Sequence, residues 1–167
     1  MQTLDTHPLT TTAMTMLAAD NALLAAVLRQ KDLEIEGTDI EVIGARENTL
    51  CINAETFGTH TDEEQVYILA FMALMIIFRH AERLGDRDPF LWNLACAMSI
   101  HLALEELGMK GRPDSVEGLV DETCRNMTAE DIYEKALEER TVDLNETISH
   151  ILDSMGEQDV LPEAQIS

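Results

Sequence analysis

One long apolar helix constrains this chain more than any other feature. Residues Asp62 to Arg83 read DEEQVYILAFMALMIIFRHAER, apolar on almost every side. Thr61 and Glu64 have the spacing of a capping box, in which each side chain satisfies a free backbone N–H at a helix start. Gly85 stands where a left-handed stop is needed, so a helix is expected over 62–84. Its most apolar run, Val66 to Phe78, is too short to span a bilayer, which takes about 20 residues. Such a helix must be surrounded by protein. A chain of 167 residues can bury it in one domain. Aromatics are only 4% of residues and Met occurs nine times. The core is therefore expected to be packed by Leu, Ile, Ala and Met, with some adaptability.

The remaining elements follow from periodicity and punctuation. Residues 1–10 read as a frayed, polar start. From Thr12 to Lys31, Met14, Leu17, Leu24, Val27 and Leu28 form one helical stripe. Leu33 to Ile35, Asp39 to Ala45 and Asn48 to Ile52 carry short β-type alternation and read as a small hairpin. Asp88 and Pro89 have the types expected at a helix N-cap and first turn, which predicts a helix from Pro89 to Leu107 ended by Gly108. A loop with Gly111 and Pro113 follows, then a short irregular or helical piece over Val116 to Cys124. Thr128 caps a helix over 129–139, with Asp131 three residues on. A last helix is expected from Val142 to Met155, with Leu144, Ile148, Ile151 and Leu152 on one face. Together these predict a mainly helical α+β fold: one domain over 1–156, then a flexible tail over 157–167.

Charge narrows the partners. The 32 Asp and Glu outnumber 11 Lys and Arg, for a formal net charge of −21. That field opposes direct binding to a phosphate backbone, where affinity comes from basic side chains. It leaves two readings: solubility through self-repulsion, or attraction to a basic surface, including one that normally holds nucleic acid. From Asp114 onward there are 15 acids and 3 bases, a net of −12. Glu130, Asp131, Glu134, Glu138 and Glu139 fall on one helix at spacings that place carboxylates in rows, and Asp143 and Glu146 continue the pattern. These seven residues are the candidate partner-binding surface.

Chemistry-bearing constellations are sparse. His60, His80 and His101 lie near the two long helices, with Glu82, Glu105 and Glu106 close in sequence, so a metal site can be drawn from them. The alternative places these side chains at helix ends or on wet faces. Cys51, Cys96 and Cys124 form no CxxC pair and read as reduced thiols of a cytoplasmic protein. The N-terminus lacks a basic region followed by an apolar run, so no secretory signal is expected. No phosphate-cradling glycine loop, GxSxG elbow or basic-aromatic stripe occurs.

Several ordered motifs over residues 37–138 resemble a prokaryotic and phage metallopeptidase domain family, often encoded beside von Willebrand A-like domains. Asn53-Ala54-Glu55-Thr56-Phe57 resembles its Asn-led turn, and His80 and Arg83 match a later His and Arg on its active-site helix. Trp92-Asn93 with Ala95 match its second helix, and Met127 to Tyr133 match its closing segment. The resemblance implies a zincin-like core. It also implies a His-Glu-x-x-His helix, two imidazoles one turn apart with a carboxylate base beside the metal-bound water. This chain has Phe71, Met72 and Met75 at those three positions. The family's Asp and Asn on the second helix correspond to Ala97 and His101.

Loss of the whole ligand set removes both the metal's charge and the base that would activate its water. The expectation is a non-catalytic, acidic protein-binding module with no cofactor. Its expected partner is a basic protein, in the cytoplasm of a prokaryotic host. The family's occurrence in mobile elements points to an inhibitor that covers the nucleic-acid-binding surface of a host defence protein. Two alternatives stand beside it. One is a metal-dependent hydrolase with rearranged ligands. The other is a structural protein whose Met-rich helix pairs with a second copy.

Overall fold

The structure is a computed structural model, and it describes residues 3–36, 43–46, 49–114, 120–139 and 149. It is α+β and mainly helical. No helix among the described residues is long and apolar enough to cross a membrane. The contacts gather into two compact units, Met1–His80 with Ala103–Gly118, and Ala81–Leu102 with Leu119–Ser167. The expectation of a single domain took 1–156 as one body. Of the expected last helix only residue 149 is described, as helical, and the expected tail lies outside the described residues.

The first unit is organised around the long apolar helix. Helices α1 (Thr11–Asp20) and α2 (Ala22–Arg29) pack on each other and on α4 (Asp62–Phe78). One continuous helix was expected over 12–31, but the chain breaks at Asn21, which is extended at φ −150° and ψ 93°. The reason is capping: the Asn21 carboxamide oxygen accepts from the Leu24 N–H at 3.2 Å. Asn serves a helix better there than inside it. The expected stripe survives the break, with Met14, Leu17, Leu24 and Leu28 all buried. The start of the chain is also more ordered than its polarity predicts. Leu4 and Thr10 are buried, the Thr10 hydroxyl donates to the Leu4 carbonyl at 2.7 Å, and Asp5 pairs with Arg29 at 3.1 Å.

The sheet has three strands in the order β1 (Asp32–Glu36), β3 (Thr49–Asn53), β2 (Ile43–Arg46). Strands β2 and β3 form the expected antiparallel pair. Strand β1, however, runs parallel to β3 on its other edge, with Leu33 opposite Leu50 and Ile35 opposite Ile52. Central position explains why β3 alone is an unbroken apolar run, Leu50-Cys51-Ile52, with all three side chains buried. Asn53 then ends the strand and caps the short helix α3 (Ala54–Gly58), accepting from the Glu55 and Thr56 N–H groups.

Helix α4 starts as expected. The Thr61 N–H donates to Glu64 Oε1 at 2.9 Å and the Glu64 N–H to the Thr61 hydroxyl at 3.2 Å. The Thr61 backbone donor is the first cause holding the Glu64 carboxyl below its ordinary range. Nine of the helix's 17 residues are buried, Val66 through Ala70 among them, in keeping with a core helix. Inside it the buried Gln65 amide donates to the Phe57 carbonyl at 3.0 Å and the His60 carbonyl at 3.3 Å. The helix ends at Phe78, not at 84, because Arg79 takes the left-handed conformation at φ 56°. Ile76, Ile77 and Phe78 are weak helix formers. The turn after them carries the buried His80 ring, 5.4 Å from that of Phe78.

Helix α5 (Pro89–Glu106) belongs to the second unit as far as Leu102. Asp88 caps it, its carboxylate accepting from the Leu91 N–H at 3.0 Å. At the far end Gly108, at φ 74°, closes the helix: its N–H reaches the Glu105 carbonyl and the Met109 N–H reaches Leu104, each at 3.0 Å. The second unit's core is Leu91, Trp92, Ala95, Cys96, Leu102, Cys124, Ala129, Ile132 and Tyr133. A 3-10 turn, Glu122–Cys124, and helix α6, helical over residues 129–139, complete its described part. Thr128 caps α6 reciprocally with Asp131, at 3.1 and 3.3 Å.

Candidate functional site

Within the second unit, the residues that carry the motif resemblance converge on one cluster. The Arg83 guanidinium forms a two-pronged pair with the Glu130 carboxylate, Nε to Oε2 at 3.0 Å and one terminal nitrogen on Oε1. Arg83 lies 5.9 Å from the centre of the buried Trp92 ring. Arg87 stands closer to that ring, at 5.0 Å, and 5.7 Å from the Tyr133 ring. The two rings meet edge to face at 6.2 Å. Tyr133 in turn accepts the Asp88 N–H at 3.1 Å through its hydroxyl, tying α6 to the cap of α5. Arg87 also donates to the Arg83 and Leu84 carbonyls, which locks the turn that carries both arginines.

This arrangement is a brace. Pairing with Arg83 holds the Glu130 carboxyl below its usual range, and the same bond holds the Arg83 guanidinium above its own. Cys96 lies in the adjacent core, where burial pushes its thiol up to about 12. A thiol so placed stays protonated near neutral pH and is a poor nucleophile. Arg87 was missed by sequence reading. Its signal is the spacing of four from Arg83, which brings two cations to one aromatic pair.

At the positions that the motif resemblance assigns to peptidase chemistry, the chain has Phe71, Met72, Met75, Ala97 and His101. On α4, Met72 is fully buried and Phe71 and Met75 are half-buried. On α5, Ala97 is half-buried and His101 is 4% exposed. Zinc is held by thiolate, imidazole or carboxylate groups. A phenyl ring, two thioethers and a methyl group do not fit it, and of these five side chains the His101 imidazole alone is of a zinc-holding type. The three imidazoles of the rearranged-site expectation are placed differently from one another. His60 is half-buried, its Nδ1 2.9 Å from the Thr56 carbonyl, whereas His80 and His101 are buried, not on wet faces. Among the described residues, no group of three or more His, Cys, Asp and Glu side chains is arranged to hold a metal ion. Of the nearby acids, Glu82, Glu105 and Glu106 are exposed, and Glu105 pairs with Arg112 at 3.7 Å. That pair belongs to a pocket of about 310 Å³ in the first unit, lined by Tyr67, Glu105, Met109, Lys110, Gly111 and Arg112.

The acidic candidates divide in three. Glu130 is spent on Arg83, and the Asp131 carboxylate accepts the Thr128 N–H while remaining exposed. Glu134, Glu138 and Glu139 are exposed on α6, with Glu139 3.5 Å from Lys135. Asp143 and Glu146 lie outside the described residues.

No curated protein and no solved structure matches the chain. The profile of the Putative metallopeptidase domain family matches residues 6–159, nearly the whole sequence. The chain belongs to that family.

Proposed function

We propose that this protein is a non-catalytic member of its family, built on a zincin-like core, which binds a basic protein through the exposed carboxylates of α6. The observation that carries the reading is the full burial of Met72, the residue that the motif resemblance sets at the general-base position. The brace supports it further: Arg83, Trp92, Glu130 and Tyr133 keep the scaffold together without any reacting group. With chemistry removed, Asp131, Glu134, Glu138 and Glu139 present a row of charge to solvent. A net charge of −21 draws basic surfaces from a distance.

The partner we favour is a cytoplasmic host protein whose basic groove normally holds nucleic acid, which this chain occupies as a mobile-element inhibitor. The test pairs capture with salt. The intact protein is used to capture binders from a prokaryotic lysate at low and at moderate ionic strength, alongside a variant with Glu134, Glu138 and Glu139 changed to Lys. A basic partner lost in the variant, and weakened steeply by salt, supports the reading. Binding that ignores both salt and charge reversal sinks it.

A pairing of copies through the Met-rich helix gains little from the structure, since Met72 is fully buried and Met75 half-buried. The rearranged hydrolase predicts retained zinc and an activity that a chelator removes.

A further inference from the structure

Away from the brace, the second unit holds a cysteine and a lysine in contact. Cys124 ends the 3-10 turn and is 2% exposed. The Lys135 ammonium, from α6, lies 3.7 Å from its sulfur. Lys135 is fixed there by two further bonds of 3.0 Å, one to an Asp121 carboxylate oxygen and one to the Thr123 hydroxyl. Asp121 is itself oriented, accepting the Thr123 N–H at 2.9 Å and its hydroxyl at 2.6 Å. The Lys135 nitrogen is therefore held against the sulfur, and about one third of the Lys135 side chain faces solvent while the sulfur itself is buried.

We propose that Cys124 and Lys135 form an oxidant-dependent covalent cross-link joining the 3-10 turn to α6. Hydrogen peroxide first converts the thiol to a sulfenic acid, giving its second oxygen up as water; sulfur loses two electrons and peroxide gains them. The Lys135 nitrogen then attacks that sulfur, forming the N–S bond as the S–O bond breaks. One ammonium proton leaves with the hydroxide as water, and a second passes to solvent. The product is a sulfenamide, and the pair has lost two hydrogens in all. A reducing thiol restores both side chains.

The neighbours set the rate. Hydrogen bonds from the Thr123 hydroxyl, then from Lys135 and the Thr123 N–H, hold the Asp121 carboxyl down at about 2. Asp121 in turn raises the Lys135 ammonium to about 12. With peroxide in excess the amine fraction limits the second step, so cross-linking rises roughly tenfold per pH unit below that value. Asp121→Asn removes the carboxylate and speeds the reaction at a given pH.

The experiment is peptide mapping of the intact protein after peroxide treatment. The expected product is a tryptic species joining the Cys124 and Lys135 peptides, uncleaved at Lys135, lighter by two hydrogens and released by dithiothreitol. Lys135→Arg keeps a cation beside Asp121, and Cys124 in that variant proceeds to sulfinic acid without a cross-link. Three results overturn the proposal: sulfinic Cys124 with Lys135 unmodified in the native protein, a disulfide from Cys124 to Cys96, or an unreacted Cys124 under conditions that oxidise the unfolded chain.

Discussion

Gly111 stands at φ +92°, and a Cβ there would lie 2.3 Å from the Glu63 carbonyl oxygen. A larger residue meets both backbone strain and a collision with the first turn of α4. Gly111→Ala is expected to destabilise the protein by about 2 kcal/mol, read as a lower urea midpoint with an unchanged slope. Gly108, also at positive φ, has open space around its Cβ position, so Gly108→Ala meets conformational strain alone and should be milder. Asp121 supplies the pH dependence at this scale. Its folded-state carboxyl titrates at about 2, below the ordinary 3.8. A depressed carboxyl adds stability that is complete above the unfolded value and is lost as pH falls through the folded one. Native protein should therefore lose stability over Asp121→Asn between about pH 4 and pH 2, closing the gap between them. The check is thermal unfolding of both proteins across that window; a gap that stays constant contradicts the assignment.

The elements show what could be read in advance. Capping chemistry is local, so Thr61 with Glu64, Asp88 before Pro89, Thr128 with Asp131 and Gly108 all stand where their spacing places them. Departures come where a local signal competes with another or where the partner is distant in sequence. Asn21 divides a stripe that periodicity alone joins, and Arg79 ends α4 before Gly85, a better stop, is reached. Parallel pairing of β1 with β3 depends on chain crossover, which alternation within a strand does not encode. Likewise the carboxylates of α6 were legible as a row of charge. That Glu130 would leave the row to meet Arg83, 47 residues away, was not. Both partners are about one third exposed, so solvent weakens the pair. Glu130→Gln should cost about 1 kcal/mol. Arg83→Ala should cost more than the pair alone, since it also leaves Trp92. A double-mutant cycle by chemical denaturation separates the two contributions.

At the scale of the whole molecule, a peptidase family profile covers a chain that has Phe71, Met72, Met75, Ala97 and His101 where the motif resemblance sets the family's chemical groups. An empty site lined by unpaired polar groups would cost about 1–3 kcal/mol per buried group, whereas Phe71, Met72 and Met75 extend the core. The second unit is braced through Arg83, Trp92, Glu130 and Tyr133, and Glu134, Glu138 and Glu139 face solvent beside it. The most direct test is the metal content of the intact protein, expressed in zinc-supplemented medium and desalted before elemental analysis. Zinc well below one equivalent per chain, with unfolding unchanged by added zinc, is the predicted result. One equivalent retained through desalting, raising the unfolding temperature and removed by a chelator, would contradict it.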